Sequence, residues 1–347
     1  MAKWLLASLA AGVALTGAAV SKPAPKPARS PAAQATPAPD KDAIDRNILH
    51  VQVILDHLGF SPGILDGKPG MSLTAALKGF QESRGLPKTG KIDQLTLAAL
   101  HRYAAWRPTV RLRLTQAALA GPYFSPFPHD YAEQAKLPAL GYRNPLEKLA
   151  EMFHTTPDVL IRLNSRETRI APGEFIVFPN ALPTSRDYQG EMTPEWRQTL
   201  TTLNVDANQP QGAKIVVDKS DGVLRVLDAQ DKLVAQFQVT TGSEHDPLPL
   251  GDWKVTVIDR NPDFRYNPDL FWDSDRDDKK ALLKPGPNGP VGVVWLDLTK
   301  EHYGIHGTPE PQTIGRSESH GCVRLTNWNA ARLAQMVKAG VPVVFQA

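Results

Sequence analysis

Cysteine is nearly absent from this chain: 347 residues hold one, Cys322. No disulfide can form within the chain, so the thiol is a buried inert group, an intermolecular link or a reactive nucleophile. Its neighbours must decide among the three. Strong net charge is missing too. A formal charge of +3, with no basic cluster interleaved with aromatics, gives no footing for nucleic acid. After the N-terminus no apolar run is long enough to cross a bilayer. No cysteine follows the N-terminal apolar stretch, which argues against a lipoprotein anchor. Acidic residues are lacking between Ser21 and Pro39, where prolines and alanines crowd instead.

What is present supports folded domains. With 41% hydrophobic and 22% charged residues, the chain can bury sizeable cores, and its length suggests two or three domains. Lys3, the apolar run Trp4–Val20 and the small residues Gly17, Ala18 and Ala19 have the layout of an export signal. The expectation is a signal peptide over 1–20 and a periplasmic or cell-envelope location, with an uncleaved membrane anchor left open. Residues 21–40, rich in Pro and Ala, read as an extended linker.

Residues 41–104 carry a helical pattern. Val51, Ile54, Leu55 and Leu58 recur at helical spacing, and Leu73, Leu77 and Phe80 do the same in a second helix. Gly59, Gly63 and Asp66-Gly67 break the chain between them. A third helix is expected to end near Leu100. The phrase LGFSPGILDGKPGMSLTAALKGFQESRGLPKTG resembles the three-helix peptidoglycan-binding domain of cell-wall enzymes.

In residues 142–181, Leu146, Leu149, Ala150 and Phe153 suggest one short amphipathic helix. Thr156 as N-cap and Pro157 at the first helical position open another. APGEFIVFPN reads as a strand. The segment resembles a LysM domain, a βααβ glycan-binding fold, with its first strand shortened to YRNP.

From Ala213 the period changes. AKIVVD, VLRVLD, KLVAQFQVTTG and WKVTVID are β-rich runs separated by turn residues. They predict a mainly-β sandwich or barrel-like core over 213–347. One helix is expected from about Asn327 to Ala339, and a last strand in VPVVF. The polar, Pro/Gly-rich stretch 261–290 is long enough for a functional lid.

Chemistry concentrates in EHYGIHGT (301–308) and RSESHGCVRL (316–325). A free thiol is mostly protonated at neutral pH and needs a base to become a nucleophile. His306 and His320 are the candidates. Backbone NH groups around Gly321 and Cys322 would suit an oxyanion hole. Arg324, two residues beyond the thiol, would suit a substrate carboxylate. Zinc ligation by His302, His306, His320 and Cys322 fits poorly. Gly304 and Gly307 oppose the helix it needs, and a two-residue spacing sends His320 and Cys322 to opposite faces of a strand.

YGIHGT followed by SHGCVRL resembles the signature of the L,D-transpeptidase catalytic domain, the YkuD family. That resemblance implies Cys322 as nucleophile and His306 as general base, with the Gly307 carbonyl orienting the imidazole. It implies that His320, Gly321 and Ser319 shape the oxyanion site and that Arg324 binds substrate. No cofactor or metal is implied. The activity implied is attack of Cys322 on the third-residue carbonyl of a peptidoglycan tetrapeptide stem, loss of D-Ala, and transfer of the thioester to an amine of another stem. Attachment to an outer-membrane protein, an L,D-carboxypeptidase using water, and a non-catalytic wall-binding protein are the alternatives.

Overall fold

The computed structural model describes residues 43–270, 274 and 279–347. The export signal and the Pro/Ala-rich linker expected over 1–40 lie outside the described residues.

Three helices come first along the described chain: α1 (Arg46–His57), α2 (Met71–Ser83) and α3 (Gln94–His101). The Asp45 side chain accepts from the Asn47 and Ile48 amides, and Asp93 from Thr96, so two of the three starts are capped. Val51, Ile54, Leu55, Leu73, Leu77 and Phe80 point inward as their spacing requires. Leu233, from the β-rich region, completes the same core.

Between α1 and α2, strand β1 (Phe60–Ser61) leaves the helical unit. The next two strands, β2 (Thr109–Arg113) and β3 (Phe175–Pro179), pair antiparallel in register Thr109↔Pro179 to Arg113↔Phe175. Between them lie α4 (Tyr131–Gln134), α5 (Pro145–Met152) and α6 (Pro157–Leu163). Asn144 and Thr156 cap α5 and α6, each followed by proline at the first helical position. Leu149, Ala150, Phe153, Leu160, Ile176 and Phe178 form the local core. The sequence expectation misplaced the first strand of this βααβ unit. YRNP is the lead-in to α5, and the strand is TVRLR at 109–113, separated from its helices by a long insertion containing Pro122, Pro126, Pro128 and Pro138.

Helix α7 (Pro194–Thr202), absent from the sequence reading, buries Trp196 and Leu200 in the largest core. The β-rich region then supplies β4 (Lys214–Asp218), β5 (Val223–Leu227), β6 (Leu233–Gln238), β7 (Gly251–Arg260), β8 (Phe264–Tyr266), β9 (Ala281–Leu283), β10 (Val294–Leu298), β11 (Gly304–His306) and β12 (Val323–Arg324). Helix α8 (Asn327–Met336) and β13 (Pro342–Gln346) close the chain. One nine-stranded sheet results, ordered β1-β6-β5-β4-β13-β7-β10-β11-β12. Its two halves are joined by β7, which pairs with β13 over Gly251–Lys254 and with β10 over Val255–Arg260.

Two further expectations need correction. Helix α8 stops at Met336, not Ala339. The Gly212 amide takes the Met336 carbonyl at 2.7 Å, and Val337 turns extended with its side chain in the core. Stretch 261–290 is not simply a loop, since β8 and β9 make a hairpin within it.

The helical unit is built into the sheet. Strand β1 pairs parallel with β6 at the sheet edge, and the Gln236 amide donates to the Gly59 carbonyl at 2.9 Å. Gln236 Nε2 donates to the Ala75 carbonyl at 2.7 Å. A Cβ on Gly79 would lie 2.7 Å from Gln236 Cδ, so glycine lets α2 approach the strand. Covering β6 in this way removes an open edge that would otherwise invite pairing with another chain.

Candidate active site

The site lies on the last strands of the sheet. Strands β11 and β12 run parallel with Ile305 opposite Val323 and His306 opposite Arg324. This register sets where the histidine stands relative to the thiol, because Cys322 is the residue before β12. Arg324 is held on its other side as well: its amide donates to the Thr240 carbonyl at 2.8 Å, and its carbonyl accepts from the Thr240 amide at 3.1 Å.

Cys322 is half-buried, and its Sγ lies 3.9 Å from the His302 carbonyl. Burial pushes the thiol pKa up, while a hydrogen bond from the Gly304 amide and the charge of Arg324 pull the other way. The Ser-His-Gly-Cys turn is tightly specified. Ser319 Oγ donates to the Cys322 carbonyl at 2.6 Å, and the Ser319 amide and carbonyl bond to Thr241 and Ser243. The Ser319 hydroxyl thus clamps the turn. Gly321 has φ +98°, and a Cβ there would run into the edge of the Tyr303 ring. Only glycine passes that ring in that conformation. His320 is half-buried between Ser319 and Gly321.

His306 is buried. Its Nδ1 is 2.7 Å from the Gly307 carbonyl. A carbonyl only accepts, so Nδ1 carries the proton and Nε2 presents its lone pair. Trp295 stacks on the ring with centroids 5.4 Å apart and planes 23° from parallel. Burial, and then the charge of Arg324, lowers the His306 pKa to about 3, against a smaller opposite effect of the Gly307 bond. At neutral pH the resting pair is therefore neutral imidazole and thiol. Among the described residues no three His, Cys, Asp or Glu side chains converge to hold a metal ion.

Sequence reasoning did not find Trp295, Tyr303, Thr240 or Asn327. The last was the most accessible of these, lying two residues past Leu325 at a Thr-capped helix start. Its carboxamide oxygen fills the space that side chains on Gly292 and Gly307 would otherwise occupy.

Residues 212–345 match the family model described as "L,D-transpeptidase catalytic domain", YkuD. This chain carries a YkuD-family L,D-transpeptidase catalytic domain. Residues 45–100 match the model described as "Putative peptidoglycan binding domain", which covers the three-helix unit. Over 200 residues the chain is 27% identical to the "Putative L,D-transpeptidase YkuD" of Bacillus licheniformis, covering 57% of this chain and 91% of the relative. Its counterpart in Bacillus subtilis is 49% identical over 57 residues, 16% of this chain and 35% of the relative. A solved L,D-transpeptidase from Mycobacterium smegmatis aligns with TM-score 0.32 and 20% identity, covering 38% of this chain; the alignment spans 58% of that structure's chain. The βααβ unit lies between the two matched regions.

Proposed function

We propose that this enzyme transfers peptidoglycan stem peptides through a thioester on Cys322. The carrying observation is the Nδ1–Gly307 bond at 2.7 Å. It leaves His306 Nε2 as the base on a strand directly paired with the one that follows the thiol. With both groups neutral at rest, the proton leaves Sγ as sulfur attacks the third-residue carbonyl of a tetrapeptide stem. The tetrahedral oxyanion forms beside the Gly321–Cys322 amides. As it collapses, the C–N bond to D-Ala breaks, His306 returns the proton to the departing amine, and the thioester remains. An amine of a second stem then attacks the thioester, His306 takes its proton, and a 3→3 cross-link forms as the thiol is released. Arg324 anchors a stem carboxylate. The three-helix domain supplies the wall contact, the βααβ unit adds a LysM-like glycan contact, and the enzyme works in the cell envelope.

Incubation of the protein with purified disaccharide-tetrapeptide, followed by mass analysis, tests the reading. Cross-linked dimers that have lost one D-Ala are expected, and Cys322→Ala should yield none. Tripeptide as the sole product would make water the acceptor, and an unchanged tetrapeptide would defeat the proposal.

A further inference from the structure

Asn327 begins α8 with no exposed surface. Its Oδ1 accepts from the Val293 amide at 3.2 Å and sits in the notch between Gly292 and Gly307. Its Nδ2 donates to the Pro287 carbonyl at 3.0 Å and to Glu151 Oε1 at 2.8 Å. Glu151 belongs to α5, in the βααβ unit, and is itself buried. Tyr142 donates to its other oxygen at 2.6 Å, so the carboxylate is immobilised from both ends.

Gly307 is also the residue whose carbonyl accepts the hydrogen bond from His306 Nδ1–H. A carboxamide torsion is broad and roughly two-fold, so Asn327 needs partners on both of its ends to stay in the notch. Its other partners there are backbone groups of the catalytic domain, and Glu151 is the one side-chain partner among the described residues. We infer that Glu151 is a positioning residue for the transpeptidase reaction: from outside the catalytic domain it holds the Asn327 carboxamide against Gly307, and so fixes the His306 tautomer. The inference rests on the assignment of His306 as base.

Glutamine is the conservative test, because its carbonyl can accept from Asn327 while its NH2 faces Tyr142 and can donate to the phenol oxygen. Alanine and leucine lose the acceptor, and leucine keeps most of the volume should alanine fail to fold. Single-turnover acylation by a carbapenem, followed by intact mass in the full chain, should fall about tenfold to a hundredfold in Glu151→Ala and Glu151→Leu, a part of what a general base supplies. The carbapenem concentration for half-maximal rate should stay as in the unmutated protein. Glu151→Gln should acylate at about half the unmutated rate or better, a loss far short of what a general base supplies. Nitrogen-15 NMR, with the His306 signals assigned by loss in His306→Ala, should show the Nδ1–H form alone in the unmutated protein and in Glu151→Gln. Both tautomers should appear in Glu151→Ala and Glu151→Leu. An unchanged His306 spectrum in these last two overturns the positioning role. So does a Glu151→Gln protein as slow as Glu151→Ala. If His306→Ala itself acylates at full rate, the base assignment fails, and the tautomer spectra still decide whether Glu151 orders the ring.

Discussion

Arg332 on α8 donates to both the carboxylate and the main chain of Asp56 on α1: Nη1 to Oδ1 at 2.9 Å, Nη2 to the carbonyl at 2.6 Å. Both side chains are buried, and His154 bonds to the second oxygen of Asp56 at 2.8 Å. The three-helix unit, the βααβ unit and helix α8 of the catalytic domain thus meet at one carboxylate. A guanidinium left there without its partner would be a buried uncompensated charge, which typically costs about 3–5 kcal/mol.

Removal of residues 41–104 should therefore abolish folding of the catalytic domain, not merely its hold on the wall. Asp56→Ala should lower stability by about 3–5 kcal/mol in chemical denaturation. Arg332 and the Asp56–His154 contacts also hold the Asp56 pKa well below its ordinary value, overcoming the opposing effect of burial. The stabilisation is thus fully present above about pH 4 and is lost as pH falls further. A deletion variant that folds and turns over soluble tetrapeptide at the full rate would show the helical unit to be a detachable binder after all.

The thiol should behave as an ordinary protonated cysteine at rest. The His306 pKa lies at about 3 and that of Cys322 is raised, so no thiolate–imidazolium pair stands ready at neutral pH. Alkylation by a small neutral reagent should climb about tenfold per pH unit between roughly pH 6 and 8, the slope of a thiol below its pKa. A rate already level across that range would mean a preformed ion pair. Stopped-time alkylation followed by mass spectrometry is sufficient.

Glu151 makes an opposite contribution to stability. Burial raises its pKa to about 7, despite the Tyr142 and Asn327 hydrogen bonds that lower it; Glu147, nearby, raises it further. A carboxylic acid that holds its proton more tightly folded than unfolded contributes stability that is complete below about pH 4.5. That contribution is lost as pH rises through about 7. The loss amounts to roughly 3 kcal/mol, from about 1.4 kcal/mol per pH unit. Glu151→Gln should abolish this decline, so that above about pH 7 it melts higher than the unmutated chain. Equal melting curves on both sides of that point would show that Glu151 is not strained in its ionised form.

The candidate site was legible in the sequence because its residues are local. Cys322, its flanking Ser319, Gly321 and Arg324, and the His306–Gly307 pair all sit within two short phrases, and the helix and strand periods around them are strong. Helix α7 was missed although its signal is local, since Thr193-Pro194 repeats the Thr156-Pro157 capping pattern recognised elsewhere. The other features that escaped were long-range. Strand β2 lies far from the helices it completes, across an insertion with no periodic signal. Arg332–Asp56 and Asn327–Glu151 join residues 276 and 176 positions apart. Such buried polar pairs look, in sequence, like ordinary surface residues on amphipathic helices.

Arg324 offers the sharpest separation of two roles within one side chain. Its backbone is tied to Thr240 on one side and lies opposite His306 on the other, so the residue stays in place when its head group is changed. Its charge lowers the pKa of both Cys322 and His306, an effect separate from the substrate anchoring proposed for it. Lysine retains the charge and loses the planar fork that grips a carboxylate through two hydrogen bonds. Arg324→Lys should therefore leave the alkylation rate of Cys322 nearly unchanged while tetrapeptide turnover falls by the equivalent of about 1.5–3 kcal/mol, the worth of a charged hydrogen bond. Arg324→Gln removes the charge as well, so the thiol pKa rises and alkylation at neutral pH slows along with turnover. Alkylation unaffected by glutamine would confine Arg324 to anchoring. Alkylation that falls equally in lysine and glutamine would mean that the fork, not the charge, holds the Cys322 turn in its reactive form.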